Sequence, residues 1–299
     1  MKTLSIKEPF ASLIKNKKKY IETRSFKTNY RGELYIHASI SKISDKVRER
    51  KELMEIVDGM DMGYGYILCK CNLVDCIFMT KEYVENMKKN NYQEYICGHY
   101  EEGRYAWVLD DIEILDMPIK AKGQLGIWNY YNEFDVMNMM NSIEYGYVDN
   151  DGNKHIDDFE EFASKYMLQS PKEVVRSRVG VCWDQVELER YYFKNSYSIK
   201  TYFIVNYDGD KCPTHTFLMF EKDNKYYWFE HSWEKFRGIH NYDCIEELLL
   251  DVRDKFINDN ECEMSNVFVY EYKRAKYHIG AHDFFEYCNN GKLINCDKF

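Results

Sequence analysis

Three residues in the second half of the chain have the types that thiol chemistry requires: a cysteine, a histidine and a carboxylate. Cys182 precedes VELERYYF (186–193), whose apolar positions fit helical spacing, so the sequence predicts that Cys182 opens a helix. The positive end of a helix dipole favours the thiolate over the thiol, and the thiolate is the nucleophile. Gly180 permits the tight turn that would present this sulfur in a cleft.

His215 and Glu230 lie on the two predicted strands of one hairpin, THTFLMFEKDNKYYWFEHSW (214–233). A two-residue loop at positions 223 and 224 makes His215 and Glu230 diagonal neighbours on one face, about 7–8 Å apart between backbones and within side-chain reach. A carboxylate that holds an imidazole beside a thiol gives the nucleophile, base and orienting acid of acyl transfer. His231 should face the opposite side, in a structural or solvent-facing role, although a register slip would let it replace His215.

The segment G-V-C-W-D-Q (180–185), followed by a strand histidine and then a strand acid, resembles the transglutaminase-like branch of the papain-fold superfamily over residues 155–275. The resemblance implies a cysteine domain in which Cys182 attacks an amide or ester carbonyl, His215 shuttles the proton and Glu230 orients His215. The family usually has Asp where this chain has Glu230. The backbone N–H of Cys182 is a natural oxyanion donor, and the sequence assigns no second one.

Near the start of the chain, Lys19, Glu22 and Arg24 occur as K-Y-I-E-T-R. Two-residue alternation in an extended segment puts Glu22 and Arg24 on one side, where they can pair with each other or with a ligand. The alternative is a surface ion-pair group worth about 1 kcal/mol at most.

The first 131 residues resemble the ASCH family of the PUA-like superfold. The matching segments are LSIKEPFASLI (4–14), K-x-x-E-x-R (19–24), YRGELYIHAS (30–39), GRYAWVLDDIEIL (103–115) and PIKAKGQLGIWNY (118–130). The resemblance implies a small β-barrel whose cleft binds RNA or a modified nucleoside, with Lys19, Glu22 and Arg24 at the binding site. Some members hydrolyse N4-acetylcytidine, and Lys19 lies at their catalytic lysine position. Glu22 occupies their threonine position, so binding is our expectation and hydrolysis the alternative.

We therefore expect an α+β chain of two domains: an N-terminal PUA-like β-barrel and a C-terminal transglutaminase-like, papain-like domain. The expected ranges are an ASCH domain at 1–131, a linker at 132–154, a cysteine domain at 155–280 and a tail at 281–299. The linker is acidic and turn-prone. It partly matches a calcium loop through Asp149, Asp151, Asn153 and Glu160, but Lys154 occupies the position that needs Gly, so we expect a surface turn.

Charge is polarised along the 299-residue chain. Residues 1–50 contain nine Lys and four Arg against five acids, a balance of +8. Because the net charge of the whole chain is −9, residues 51–299 carry −17. A protein-wide negative field argues against nonspecific polyanion binding, whereas the basic N-terminal part can approach phosphate. A solvated basic helix face around Lys15 to Lys19 is the alternative.

Other features limit location and cofactors. The chain begins without an apolar signal segment and has no run near the roughly 18 apolar residues of a membrane span, which predicts a cytoplasmic protein with no membrane partner. The ten cysteines include no CxxC pair, and Cys69, Cys71 and Cys76 fit no common zinc spacing, so we expect buried thiols and neither metal nor other cofactor. The predicted partners are RNA or a nucleoside for the first domain and a protein, peptide or amide substrate for the second. The rival hypothesis is a non-catalytic recognition protein.

Overall fold

A computed structural model describes residues 1–207 and 212–296 of the chain. The chain divides into two compact units, Met1–Tyr130 and Tyr131–Phe299. The predicted domain boundaries remain a prediction.

Unit 1, which is described throughout, contains a six-stranded sheet in the order β2-β5-β4-β3-β1-β6. Its strands are β1 (Lys2–Ile6), β2 (Ile21–Arg24), β3 (Gly32–Ala38), β4 (Tyr66–Phe78), β5 (Tyr105–Lys120) and β6 (Ile127–Asn129). Its helices are α1 (Phe10–Lys15), α2 (Asp45–Arg48), α3 (Lys51–Val57), α4 (Lys81–Asn90) and α5 (Tyr92–Ile96).

The sheet of unit 1 is a half-barrel, which is consistent with the expected PUA-like fold. In the strand order, β2 and β6 lie at opposite edges, and closure would require these edges to pair. Register shifts between β4 and β5 mark bulges, which bend a sheet without closing it. The core lies under α1 and includes Leu4, Leu34 and Trp107.

Two predicted elements of unit 1 have different bounds in the structure. The polar, charged sequence from about Ser44 to Asp58 predicts one helix, but the structure divides it into α2 and α3, with Arg50 in a non-helical conformation between them. The segment RYAWVLDDIEIL (104–115), rich in β-forming residues, predicts a strand, and this strand continues to Lys120 as part of β5.

The described residues of unit 2 form an antiparallel sheet in the order β12-β11-β10-β9-β13-β14 and a separate hairpin of β7 and β8. The strands are β7 (Gly146–Val148), β8 (Lys154–Ile156), β9 (Ser198–Asn206), β10 (Thr214–Lys222), β11 (Lys225–Glu230), β12 (Gly238–Tyr242), β13 (Val267–Tyr272) and β14 (Lys292–Ile294). The helices are α6 (Glu133–Met140), α7 (Phe162–Lys165), α8 (Pro171–Ser177), α9 (Cys182–Phe193), α10 (Ile245–Asn260) and α11 (Ala281–Asn289).

Two-residue alternation divides the apolar side chains of this sheet between two cores. Leu218 and Phe220 belong to the cluster that contains α9 residues, whereas Phe217 and Met219 belong to the cluster that contains α10 residues. All side chains of α9 from Cys182 to Glu189 are buried, so this helix is the centre of its layer.

The β10–β11 hairpin has the predicted register. Lys222 pairs with Lys225 and Leu218 with Phe229, which confirms a two-residue loop. Asp223 and Asn224 have φ of 52° and 60°, the left-handed conformation that a two-residue hairpin loop requires and that Asp and Asn tolerate.

Segments predicted as linker and tail contribute to unit 2. Residues 132–154 contain α6 and β7, and Val136 and Met140 of α6 are fully buried in the core. The segment 281–294 contains α11 and β14, and β14 pairs with β13. The apolar residues of α6 and α11 are too few to predict a buried helix by themselves. Their burial depends on packing against the other elements of unit 2.

Two negative findings apply to the described ranges 1–207 and 212–296. No helix there has the length and apolar character needed to cross a membrane. No group of three or more His, Cys, Asp or Glu side chains there is arranged to hold a metal ion. Burial raises the pKa of both Cys69 and Cys71 to about 12, so both are buried thiols.

Candidate functional site

Cys182 is the first residue of α9, at the position predicted from the sequence. Val181 before it is extended, and the Cys182 side chain lies in the core with the residue 4% exposed. Gly180 is closely surrounded, since a Cβ there would lie 3.0 Å from the Cβ of Asp184. The absence of a side chain at position 180 thus lets the chain turn directly into the helix.

Asp184 fixes the start of this helix. Its carboxylate accepts hydrogen bonds from the backbone N–H of Val181 at 3.1 Å and of Gln169 at 2.8 Å, and from the Tyr166 hydroxyl at 3.1 Å. Burial raises the pKa of Asp184 to about 7, although these hydrogen bonds act in the opposite direction. The bonds hold the loop and the first turn of α9 together.

His215 and Glu230 are in direct contact. His215 Nε2 lies 2.8 Å from Glu230 Oε2, and the two residues are 7% and 2% exposed. A carboxylate only accepts hydrogen bonds, so Nε2 carries the proton and Nδ1 is the ring nitrogen left for another partner.

Three further donors hold the Glu230 carboxylate. Its Oε1 accepts from the backbone N–H of Trp233 at 2.7 Å and from the Ser232 hydroxyl at 3.0 Å, and its Oε2 accepts from Trp228 Nε1 at 3.2 Å. Burial would raise the pKa of Glu230, but His215 and these bonds lower it. Glu230 is therefore an oriented carboxylate at neutral pH.

The side chain of Cys182 lies near enough to the imidazole of His215 to favour its charged form. Burial alone would lower the pKa of His215, but the Glu230 charge, the neighbouring Cys182 and the hydrogen bond with Glu230 raise it to about 10. The structure thus brings together all three residues predicted for this site, in the sequence thiol, imidazole, carboxylate.

His231 contacts the helix that carries Cys182, which excludes the solvent-facing role. It is buried, and its Nδ1 lies 2.7 Å from Gln185 Oε1, while Gln185 Nε2 donates to the Gly180 carbonyl at 2.8 Å. Burial lowers the pKa of His231 to about 4, so the ring is neutral. His231 and Gln185 therefore support the loop before Cys182. Glu230 contacts His215 and not His231, so the register slip that would let His231 replace His215 does not occur.

A cavity of about 280 Å³ adjoins His215. It is lined by Tyr145, Thr214, His215, Ser232, Trp233, Glu234, Phe256, Asp259 and Asn260. The buried imidazole is thus accessible from one side.

The residues around Lys19 form a buried charge cluster, which overturns the surface ion-pair alternative. Lys19 is 0% exposed, and its Nζ lies 3.8 Å from Glu22 Oε2 and 3.9 Å from Glu94 Oε1. Arg24 Nε lies 3.1 Å from Glu22 Oε1. The structure therefore brings Lys19, Glu22 and Arg24 together, and the pairing of Glu22 with Arg24 is the one that alternation predicts.

Glu94 is a member of this cluster that the sequence did not reveal. Its carboxylate accepts from the backbone N–H of Tyr20 at 2.7 Å and of Ile21 at 3.2 Å, and from the Tyr100 hydroxyl at 3.0 Å. It lies on the short helix α5, far along the chain from Lys19, and YQEYI contains no motif that would have identified it.

Asp149 begins a turn whose residues 150–153 are exposed, as expected, although Asp149 itself is buried. It accepts from the backbone N–H groups of Asp151 at 2.9 Å and Asn153 at 2.8 Å and from His155 Nε2 at 3.0 Å. The hydrogen bond with His155 is the main cause of its lowered pKa. This carboxylate is occupied by its own turn.

Comparison with protein families identifies the N-terminal part of the chain, since residues 4–145 match the ASCH domain. The chain contains an ASCH domain. The search of curated proteins finds no match. Nothing identifies the C-terminal domain.

The ASCH domain suggests a function related to RNA or nucleosides. A cavity of about 420 Å³ in this domain combines basic and aromatic side chains. It is lined by Phe10, Lys46, Val47, Arg50, Tyr95, Gly98, His99 and Tyr100. Sequence analysis missed Lys46, Arg50 and His99, and the excess of positive charge in residues 1–50 was the only signal for the first two.

The charge cluster of the ASCH domain supports one wall of this cavity. Lys19 Nζ lies 5.9 Å from the centre of the Phe10 ring, and Tyr100 is held by Glu94. The backbone N–H of His99 donates to Thr23 Oγ1 on β2, the strand that carries Glu22 and Arg24.

Proposed function

We propose that the C-terminal unit is a thiol-dependent acyl-transfer or hydrolytic enzyme of transglutaminase-like type, acting on a protein, peptide or other amide. Cys182 attacks the carbonyl, His215 transfers the proton and Glu230 orients His215. The observation that carries this proposal is the 2.8 Å contact of His215 Nε2 with Glu230, which leaves Nδ1 available to the neighbouring Cys182 at a helix start.

Hydrolysis is the preferred outcome, because water reaches any thioester that a solvent-accessible cavity contains. An amine acceptor would give transfer by the same first step. Both outcomes share one covalent intermediate, the thioester on Cys182, so a test of that intermediate applies to either.

The test compares cysteine reactivities in the full chain. Brief treatment with iodoacetamide near neutral pH, followed by peptide mass spectrometry, should alkylate Cys182 more than tenfold faster than Cys212, which is exposed whereas Cys182 is buried. His215→Gln should remove this difference. His240→Gln is the matched control, because His240 lies in the same sheet and its Nε2 contacts the Phe236 carbonyl at 2.7 Å.

Equal labelling of Cys182 and Cys212 in the parent protein would overturn the catalytic proposal in favour of a recognition protein. An acetyl increment on Cys182 after incubation with p-nitrophenyl acetate would support it independently.

We propose that the ASCH domain binds RNA or a modified nucleoside in its basic and aromatic cavity. The half-buried rings of Phe10 and Tyr95 can contact a base, while Lys46 and Arg50 can approach phosphate. Lys19, Glu22 and Arg24 hold the wall behind the cavity, and Arg24, with 21% of its side chain exposed, is the most accessible of the three.

Binding of a fluorescent single-stranded RNA should weaken about three- to tenfold in Lys46→Ala and show a shallower dependence on salt. Lys89→Ala, an exposed lysine on α4, is the control and should bind as the parent does. Equal affinity of Lys46→Ala and the parent would contradict the assignment of this cavity.

Hydrolysis of N4-acetylcytidine by the ASCH domain is a second candidate, favoured by the two carboxylates within 3.9 Å of Lys19. Loss of turnover in Lys19→Ala but not in Cys182→Ala would support it. No turnover by the parent would dispose of it.

A further inference from the structure

Tyr145 is held beside the loop that leads to Cys182 by the backbone of its neighbour Glu144. The Glu144 N–H donates to the Arg178 carbonyl at 2.9 Å, and the Gly180 N–H donates to the Glu144 carbonyl at 3.1 Å. Glu144 and Val179 form a parallel bridge. Tyr145 is thereby fixed next to the start of α9 without being part of it.

The side chain of Tyr145 extends from this anchor toward the nucleophile. Cys182 is close enough to the Tyr145 hydroxyl to act on its pKa through both the Cys182 side chain and the Cys182 backbone N–H. The ring packs against Phe159 at 5.9 Å and lines the same cavity as His215. The residue is 45% exposed, so one side of the ring faces the route by which a substrate would enter.

The position of this hydroxyl coincides with a requirement of acyl chemistry. When a thiolate attacks a carbonyl, the developing oxyanion must lie within hydrogen-bond reach of the N–H at the nucleophile. In the resting site, the Tyr145 hydroxyl lies beside the backbone N–H of Cys182. An oxyanion that binds to this N–H would therefore lie next to the Tyr145 hydroxyl. Desolvation of the hydroxyl and the nearby Cys182 raise the pKa of Tyr145, so its hydroxyl stays protonated and remains a donor.

We propose that Tyr145 supplies the second hydrogen bond to the oxyanion, beside the backbone N–H of Cys182. The proposal rests on the proposed thiol-dependent acyl chemistry. It makes Tyr145 a catalytic residue, because its hydroxyl touches the reacting oxygen.

The step balances without a further reagent. The Cys182 sulfur forms a C–S bond to the carbonyl carbon, and the π electron pair of the C=O bond moves to oxygen. The Tyr145 hydroxyl turns from sulfur to this oxygen and keeps its proton. Collapse restores the C=O bond and breaks the C–N bond, and the leaving amine takes a proton from the His215 imidazolium. Water, deprotonated by His215, then cleaves the thioester to a carboxylic acid and the thiolate.

The first half of the test measures acyl transfer. With p-nitrophenyl acetate and the full chain, Tyr145→Phe should lower the rate of Cys182 acetylation on the order of 10²- to 10³-fold, as loss of one oxyanion donor does. The ring and its contact with Phe159 are kept in this variant. Tyr191→Phe is the matched control, because Tyr191 has the same exposed fraction and lies on the outer side of α9.

The second half uses iodoacetamide, which reacts with Cys182 by substitution at a saturated carbon and builds no oxyanion. In Tyr145→Phe, iodoacetamide should alkylate Cys182 at a rate within about fivefold of that in the parent protein. Loss of both reactions would make Tyr145 merely structural, and a gain in both would make it a cover over the thiol; either result overturns the proposal. If the parent itself shows neither rapid alkylation nor acetylation of Cys182, the proposed function fails instead.

Discussion

At the scale of single residues, Glu230 has the largest number of specific partners in the candidate site. Its two carboxylate oxygens accept from His215, Trp228, Ser232 and Trp233. A buried carboxylate with so many donors has one orientation, and His215 inherits that orientation. The β10–β11 hairpin therefore accommodates the Glu230 side chain in the orientation that contacts His215.

Glu230→Gln should lower the rate of Cys182 acetylation by p-nitrophenyl acetate on the order of 10²- to 10⁴-fold. A neutral amide cannot stabilise the imidazolium and can present an N–H donor to His215 Nε2, which favours the wrong tautomer. Glu234→Gln, an exposed acid that lines the same cavity, should change the rate less than threefold, which is about 0.6 kcal/mol. Equal rates in both variants would exclude the role assigned to Glu230.

The raised pKa of His215 predicts how stability depends on pH. A histidine whose pKa is higher in the folded state stabilises that state fully below pH 6.5, and the stabilisation is lost as the pH rises toward about 10. The free energy of unfolding in urea should therefore fall between these pH values, and less so in His215→Gln. His278→Gln, an exposed histidine bonded to Glu173, should keep the parent slope. Identical slopes in all three proteins would contradict the prediction.

At the scale of elements, the first turn of α9 determines where the thiol lies. Asp184 accepts hydrogen bonds from three buried groups at the end of the loop, and Gln185 ties the loop carbonyl of Gly180 to His231. Both side chains lie within one turn of Cys182. The start of α9 is consequently held by two separate sets of hydrogen bonds, those of Asp184 and those of Gln185.

Asp184→Ala should destabilise the protein by about 3 kcal/mol or more, because it leaves buried donors without acceptors. The comparison is Asp283→Ala, which removes an exposed Asp from the same position in the first turn of α11 and should cost less than about 1 kcal/mol. Urea unfolding of both variants measures the difference. Equal losses would mean that Asp184 acts only as an ordinary first-turn acid.

At the scale of the whole molecule, each apolar core among the described residues draws its members from one unit. The clusters of unit 1 end at Tyr130, and those of unit 2 begin at Tyr131. The family match extends to residue 145, which includes α6 of unit 2. The two divisions of the chain make different predictions about where it can be cut.

A fragment of residues 131–299 should fold cooperatively and keep rapid alkylation of Cys182, because it retains α6 with the buried Val136 and Met140. A fragment of residues 146–299 lacks these side chains and Tyr145 and should be less stable by several kcal/mol. Urea unfolding and the alkylation rate of each fragment provide the comparison. Equal stability of the two fragments would place the boundary at the end of the family match.

The sequence alone determined the local parts of this protein. The two-residue loop at Asp223-Asn224 fixed the β10–β11 register, and with it the diagonal contact of His215 with Glu230, because side chains alternate with a period of two. The segments resembling an ASCH domain likewise predicted what the family match reports for residues 4–145.

Only the tertiary structure decided which distant groups meet. Glu94 joins Lys19, Tyr145 lines one cavity with His215, and His231 contacts Gln185, and each of these pairs links separate segments of the chain. The strand order that leaves β2 and β6 at opposite edges of the N-terminal sheet is likewise decided by tertiary structure. Local periodicity specifies which face of an element is apolar, whereas the packing of layers decides which side chains those faces bring together.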